Sequence, residues 1–474
     1  MRLVVFEGRG RNPIAIFNEK AVLRLGRGLA TTGRLHEAGV AQGLRVMTRY
    51  NAIARAMGAD PFEVLATAAV RDASNGPEFV AALEARMPGV PIRVLSGEQE
   101  AALSSAGVLC GIPEANGILA DIGGGSLEVV RVGAGAVLRA QSLGLGVIRL
   151  SDRTEGDLAR ARTIADADLS AVPWLAEGEE RDLYLVGGAW RALAQVQMYL
   201  ASYPLHIVHH YTITRDAGRD LAALMLSSPR RVLERMPGAP RRRVEDLPFA
   251  ATVLRRLLRQ TGARRIVFSA NGIREGWFMQ QVPPEARAED PLVALGHEIA
   301  ARYGRDVRLP PALVDWTAPL FPDETAQQGR LRVAACWMSD VGSQDHPDYR
   351  AEQAFFRVLR QPGVAMDHPS RAFLALTLAL RYEAELDAMY LGTARALLEP
   401  AAVGRAETLG SALRLAYSLS AGTPELLAGA NLRVLPGRLT LRLAEGSGVF
   451  AGDPIQRRLA RLGAAMGLAV DEAA

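Results

Sequence analysis

Lysine is almost missing from this 474-residue chain: Lys20 is the only one, and arginine supplies all the other basic residues. The plain explanation is codon bias in a GC-rich genome, which the heavy Ala and Gly usage also fits. The sharper one is affinity for phosphate, which guanidinium binds in a two-pronged fashion. A net charge of +4 does not choose between them. Cysteine is nearly absent too. Cys110 and Cys336 have no partner at metal or redox spacing, which excludes zinc ribbons and Cys-x-x-Cys chemistry. No apolar run approaches the ~20 residues that span a bilayer, and the longest candidate, Ala372–Leu380, reads as the interior of an amphipathic helix. Leu3-Val4-Val5-Phe6 is too short for a signal-peptide core. The expectation is a soluble cytoplasmic protein that neither enters nor spans a membrane.

What is present is ordinary globular composition, 49% hydrophobic and 22% charged, enough for roughly three domains at ~150 residues each. Strand and helix signals alternate over the first hundred residues. Leu3–Phe6, Pro13–Phe17 and Pro91–Leu95 read as strands, and Val40–Met57 reads as a helix. Such alternation predicts an α/β layer with a largely parallel sheet. A second α/β unit starts near Gly107. Its strands Gly117–Ile122 and Leu127–Val132 are joined so tightly that they form a hairpin; Asp182–Val186 and Arg265–Ser269 are later strands. Met279–Pro291 reads as a linker. Beyond it the pattern is mainly helical, with Arg371–Leu386 among the helices, a β segment at Leu432–Leu443 and a last helix over Pro454–Met466.

Three segments carry chemistry. In Asp121-Ile122-Gly123-Gly124-Gly125-Ser126, followed by Glu128, the glycines let backbone N–H groups converge on an anion. Asp121 could hold a divalent cation beside it. No Gly-Lys-Ser/Thr follows, so this is not a P-loop, and a strand rather than a helix comes next, so it is not a dinucleotide fingerprint. The bland alternative is a tight hairpin turn. In Ser96-Gly97-Glu98-Gln99-Glu100, Ser96 and Gln99 have capping-box spacing, which puts Glu100 in the first turn of a helix after a strand. There it could take a proton from water attacking a phosphoryl group, or merely complement the helix dipole. In the segment Thr67 to Asn75, Arg71 lies just past a strand end, where it could reach a phosphate or pair with Asp72.

Together these segments resemble the exopolyphosphatase / guanosine pentaphosphate phosphohydrolase family, whose motifs read Thr-x-x-x-Arg-x-Ala-x-Asn, Ser-Gly-x-Glu-Glu-Ala and Asp-x-Gly-Gly-Gly-Ser-x-Glu in this order. Ser142–Leu150, Val186–Arg191 and Ser269–Gly276 match as well, so the likeness covers residues 2 to 278. It implies an α/β fold of two actin-like (ribonuclease H-like) domains with a cleft, over 1–106 and 107–280. A mainly helical C-terminal domain, 281–474, resembles a degenerate His-Asp fold, with Ser339 where that fold has its histidine. The resemblance implies hydrolysis of the terminal phosphoanhydride of inorganic polyphosphate, guanosine pentaphosphate or both, assisted by Mg2+, in a homodimer, with no nucleic acid as partner. It makes Glu100 the catalytic base. Arg71, Gly123, Gly124, Gly125 and Ser126 bind substrate phosphate, and Asp121 and Glu128 are acids at the metal.

Two departures stand out. Gln99 replaces the first glutamate of the family pair, and Glu100 keeps the second. Met1-Arg2-Leu3-Val4-Val5 matches the residues directly after the family's first phosphate loop, Asp-x-Gly-Ser-Asn-Ser, so that loop is expected to be missing. Either the start was placed too late or the chain is a truncated or inactive member, and the alternative function is a non-catalytic polyphosphate- or alarmone-binding protein. Eleven arginines between Arg230 and Arg265 read as solvated helix faces or as a basic track for a long polyanion. His346 and His368 each precede a proline, a loop context.

Overall fold

The computed structural model describes residues 1–362, 365–444 and 452–471. The chain divides into two compact units, Met1–Arg287 and Ala288–Ala474.

In the first unit, β1 (Arg2–Glu7) and β2 (Ile14–Lys20) form an antiparallel pair, while β3 (Val64–Ala66) and β4 (Ile92–Val94) form a separate parallel pair. The expected largely parallel sheet is therefore not what forms here. Loop length gives the reason. Only six residues join β1 to β2, and a parallel connection needs about a dozen or more. The β3–β4 connection is long enough to hold the helices Ala68–Arg71 and Gly76–Glu84. Leu3 and Val5 of β1 pack with Tyr50, Phe79, Leu83 and Met87 in the core of this layer.

The larger sheet has β5 (Gly117–Ile122), β6 (Leu127–Gly133), β7 (Ala136–Leu143), β8 (Asp182–Val186), β9 (Tyr211–Thr214) and β10 (Arg265–Phe268), in the order β7-β6-β5-β8-β10-β9. β5, β8 and β10 run parallel, and β6, β7 and β9 are antiparallel to their neighbours. β5 and β6 close around Gly123–Ser126, as the sequence predicts. β6 and β7 close through Ala134 and Gly135, both at positive φ (51° and 73°), the geometry of a two-residue hairpin turn.

Strand alternation decides where the acids point. Ile118, Ala120 and Ile122 of β5, with Leu127 and Val129 of β6, bury against the helices Leu158–Ser170, Gly188–Leu200 and Leu247–Thr261. Leu119 and Val130 bury on the opposite face with Ala101 and Val108 of the helix Gly97–Gly111. Asp121 and Glu128 have the parity of Leu119 and Val130, so they point toward that helix. The helix also crosses Ile273–Gln281 at very close range. A Cβ on Gly107 would lie 2.0 Å from the Gly272 carbonyl oxygen, and one on Gly276 would lie 1.8 Å from that of Leu103. Only glycine fits at either position.

The stretch expected as a linker, Met279–Pro291, is partly helical. It holds the end of Ile273–Gln281 and all of Pro284–Ala288, whose proline suits a first helical turn.

The second unit is mainly helical. The helix His368–Arg381 is buried on nearly every side among Arg350–Leu359, Pro400–Ser420 and Ala326–Trp337, so it is not the amphipathic helix expected. It ends at Arg381 rather than Leu386 because Glu383 turns into the left-handed region at φ 70°. His368 is buried at its start and not in a loop; the Asp367 carboxylate caps it by accepting from the Ser370 N–H, and Pro369 sits where a helix needs no amide donor. β11 (Ala430–Leu435) and β12 (Arg438–Leu443) form a hairpin, and β13 (Ala469–Val470) joins β12 in parallel. No described helix is long and apolar enough to cross a membrane.

Candidate functional site

The glycine turn is braced from behind. Its carbonyls accept from the start of the helix Val147–Thr154: Val147 N–H to Gly123 O at 3.1 Å, and Ile148 and Arg149 N–H to Gly124 O at 3.0 Å each. Gly146 lies directly under the turn, where a Cβ would come within 2.4 Å of the Gly125 backbone and the Ser126 nitrogen. With the carbonyls committed to that helix, the amides of Gly124 and Gly125 make no backbone hydrogen bond among the described residues. They are available to an anion. A cavity of about 200 Å³ opens beside them, lined by Gly123–Ser126, Glu100, Thr67, Arg24 and Arg149.

Glu100 reaches this cavity because its helix starts where the sequence says. Ser96 accepts from the Gln99 N–H at 3.1 Å and Gln99 accepts from the Ser96 N–H at 2.9 Å. This reciprocal cap is worth about 1 kcal/mol. Glu100 is 5% exposed, and Arg71 donates to its Oε2 at 3.0 Å. Burial raises the carboxyl's ionisation above the ordinary range, and the Arg71 guanidinium pulls it back. Arg71 also donates to the Leu95 carbonyl at 2.9 Å and to Asp72 at 3.1 Å. It thus makes the local pair with Asp72 and the pair with Glu100 at once. Asp72 in turn accepts from Arg149. Arg149 lay inside a matched motif without a role being read for it, and the structure brings it to the cavity wall.

Asp121 and Glu128 are register partners across the hairpin. The Ser104 hydroxyl donates to Asp121 at 2.5 Å, and the Ser142 hydroxyl donates to Glu128 at 2.9 Å. Both carboxyls are raised by burial. For Asp121 the Ser104 bond and the charges of Arg191 and Arg274 act against that rise. Glu128, 2% exposed, is pushed up to about 8, by burial first and then by the charges of Glu100 and Asp121. Asp121 also lines a second, larger cavity of about 600 Å³, together with Arg191, Gly187 and Arg274. Met1, Leu25, Thr67 and Ala69 line both cavities.

Ser104, Arg149, Arg191 and Arg274 are thus site residues that sequence reasoning did not assign. The last three sit in matched motifs; Ser104 carried no signal, because its role depends on a strand seventeen residues away.

Elsewhere, Ser339 hydrogen-bonds the Cys336 carbonyl and the Tyr417 hydroxyl. Asp340 pairs with Arg305 and Arg381 at 3.5 and 3.6 Å. Both residues are engaged structurally, and among the described residues no three His, Cys, Asp or Glu side chains form a metal-holding group.

Comparison with known proteins agrees with this architecture. Exopolyphosphatase 2 of Mycobacterium tuberculosis is 32% identical over 144 residues, 29% of this chain and 45% of that protein. The chain thus spans less than half the length of that relative. Exopolyphosphatase 1 of Mycobacterium bovis is 26% identical over 295 residues, 60% of this chain and 85% of that protein. Retrograde regulation protein 2 of Saccharomyces cerevisiae is 26% identical over 259 residues, 48% of this chain and 43% of that protein. The crystal structure of an exopolyphosphatase from Cytophaga hutchinsonii shares the fold, with a TM-score of 0.53 at 21% identity, covering 60% of this chain and 99% of that one. The α/β unit is therefore actin-like in fold, with a helical C-terminal region. The model of the exopolyphosphatase C-terminal domain matches residues 292–471. With the Ppx/GppA phosphatase family model matching residues 4–285, the chain belongs to the Ppx/GppA phosphatase family.

Proposed function

We propose that this protein hydrolyses the terminal phosphoanhydride of inorganic polyphosphate or guanosine pentaphosphate. The observation that carries the reading is the shared cavity: free main-chain amides of Gly124 and Gly125 on one wall, and on another Glu100, whose carboxylate accepts from Arg71. The amides, Arg71 and Arg149 neutralise the terminal phosphoryl group. Glu100 accepts a proton from water as its oxygen forms a bond to phosphorus. The anhydride P–O bond breaks, and its electron pair leaves on the shortened chain. Phosphoryl transfer asks a protein mainly for this positioning and charge neutralisation.

Mg2+ belongs to the same reading. The donors fit it: Asp121 and Glu128 are oxygen ligands only, paired across the hairpin and buried, and burial raises the ionisation of both. Magnesium binds through one or two carboxylates and completes its shell with water and phosphate oxygens. Asp121 and Glu128 would hold it, and it would neutralise charge on the phosphate oxygens.

The test is orthophosphate release from polyphosphate and from guanosine pentaphosphate, with magnesium and with chelator. Magnesium-dependent release is expected. Tight binding without release would replace the hydrolase reading with the non-catalytic one.

A further inference from the structure

The eleven arginines between Arg230 and Arg265 do not form the continuous basic track weighed from the sequence. Arg230 pairs with Glu234 and Glu245, Arg256 with Asp166, and Arg264 and Arg265 with Asp182. Arg255 and Arg259 face solvent. The arginines that converge lie elsewhere, around Asp72.

Asp72 directly follows the helix Ala68–Arg71, part of the layer that holds β1 to β4. Its two carboxylate oxygens serve different arginines. Oδ1 accepts from Arg71 Nε at 3.1 Å, and Oδ2 accepts from Arg149 Nη2. Arg149 comes from the helix Val147–Thr154, which braces the glycine turn. Among the described residues, Asp72 is the one acid within ion-pair distance of Arg149. Arg71 has two, Asp72 at 3.1 Å and Glu100 at 3.0 Å. Glu100, Arg71, Asp72 and Arg149 thus stand in a row of alternating charge, with Asp72 as the inner acid.

Both ends of the row meet the chemistry. Glu100 lines the cavity, and Arg149 Nη2 lies 3.7 Å from where a Cβ on Gly125 would be, against the turn itself. Two guanidiniums beside one small cavity repel each other, and a carboxylate between them offsets that repulsion. A free arginine side chain samples many rotamers, and an acid that holds its fork removes that freedom before substrate arrives. Asp72 also takes a share of Arg71. Without it the whole fork is left to Glu100, whose lone pairs the attacking water needs.

The same two elements have a second tie. Asp152, also on the helix Val147–Thr154, accepts from the Gly28 N–H at 2.8 Å. That bond docks the helix and pairs with neither arginine, so it serves as a control.

Resting on the hydrolase reading, we propose that Asp72 is a positioning residue: it fixes Arg149 against the glycine turn and divides Arg71 between two acids, so that one carboxylate sets both ends of the site. Asp72 itself touches no reacting atom.

The test is steady-state phosphate release from inorganic polyphosphate with magnesium, measured for Asp72→Asn, Asp72→Glu, Arg149→Ala, Arg71→Ala and the Asp72→Asn double variant with each arginine change. Asp72→Asn is expected to raise KM about tenfold through Arg149 and to lower kcat about tenfold through Arg71, the usual worth of a charged hydrogen bond. Asp72→Glu keeps a carboxylate and should recover most of both losses. An effect that travels through a partner vanishes once the partner is gone. In the Arg149→Ala background Asp72→Asn should therefore change KM by no more than about twofold, and in the Arg71→Ala background it should change kcat by no more than about twofold. Full effects in those backgrounds, parental kinetics in a folded Asp72→Asn, or the same pattern from Asp152→Ala overturns the proposal. If the parent releases no phosphate, the hydrolase reading falls alone. Calorimetric affinity for the same polyphosphate across the Asp72/Arg149 cycle then decides the positioning role: non-additive losses support it, and additive losses overturn it.

Discussion

Asp121 and Glu128 face each other directly across β5 and β6, two buried carboxyls brought together by a four-residue turn. Neither has a cationic partner within salt-bridge distance among the described residues; each instead accepts from a serine. Their closeness makes the hairpin electrostatically costly when nothing positive lies between them.

The first prediction follows from Glu128. Its carboxyl titrates at about 8 in the folded chain against the ordinary 4.5, so the folded state holds a proton that the unfolded state has lost. Stability is then full below about pH 4.5 and falls as pH rises toward 8. Glu128→Gln should remove the Glu128 part of this dependence, leaving that of Glu100 and Asp121, and raise stability near pH 8 by about 2 kcal/mol or more, at about 1.4 kcal/mol per pKa unit. Thermal melts of both proteins at pH 5 and pH 8 in chelator check it; parallel melts at both pH values would contradict it. Adding Mg2+ at pH 8 should stabilise the parent more than the variant, which keeps only Asp121 of the two acids.

Ser104 gives the second. Its hydroxyl donates to Asp121 at 2.5 Å and favours the charged form. In Ser104→Ala, Asp121 should hold its proton to still higher pH. The acid limb of the pH–rate profile should move upward, and stability should drop by roughly 1–3 kcal/mol, the cost of an orphaned buried acceptor. An unmoved acid limb would mean that Asp121 is outside the site.

Gly146 gives the third. A methyl group there would strike the backbone of Gly125 and Ser126 at 2.4 Å, so Gly146→Ala must displace the turn. Because a shift of about 1 Å can cost about a hundredfold in rate, phosphate release should fall by that order while circular dichroism stays native. Full activity in a folded variant would detach the turn from catalysis.

The sequence revealed the parts of this site that are local. The Ser96–Gln99 cap, the hairpin around Gly123–Ser126 and the placement of Glu100 in a first helical turn depend on neighbours three or four residues away, and each stands as read. What depended on distant pairing was not legible. β7 lies at the sheet edge with six exposed residues in its mixed sequence, and β9 is only four residues long, so neither shows a strand pattern. The parallel sheet expected for the first hundred residues failed because the short β1–β2 loop overrides the alternation signal. Arg149 and Arg191 reach the cavities through long-range packing, and no spacing in the chain announces which arginine will do so.

The central claim is that Glu100 activates water against a phosphate held by the glycine turn. The most direct measurement is the single-turnover rate of phosphate release from polyphosphate by Glu100→Gln, taken beside its affinity for the same polymer. A rate loss of about 10² to 10⁴, the usual worth of a general base, with affinity within a few-fold of the parent, is the predicted result. Turnover at the parental rate would contradict the account.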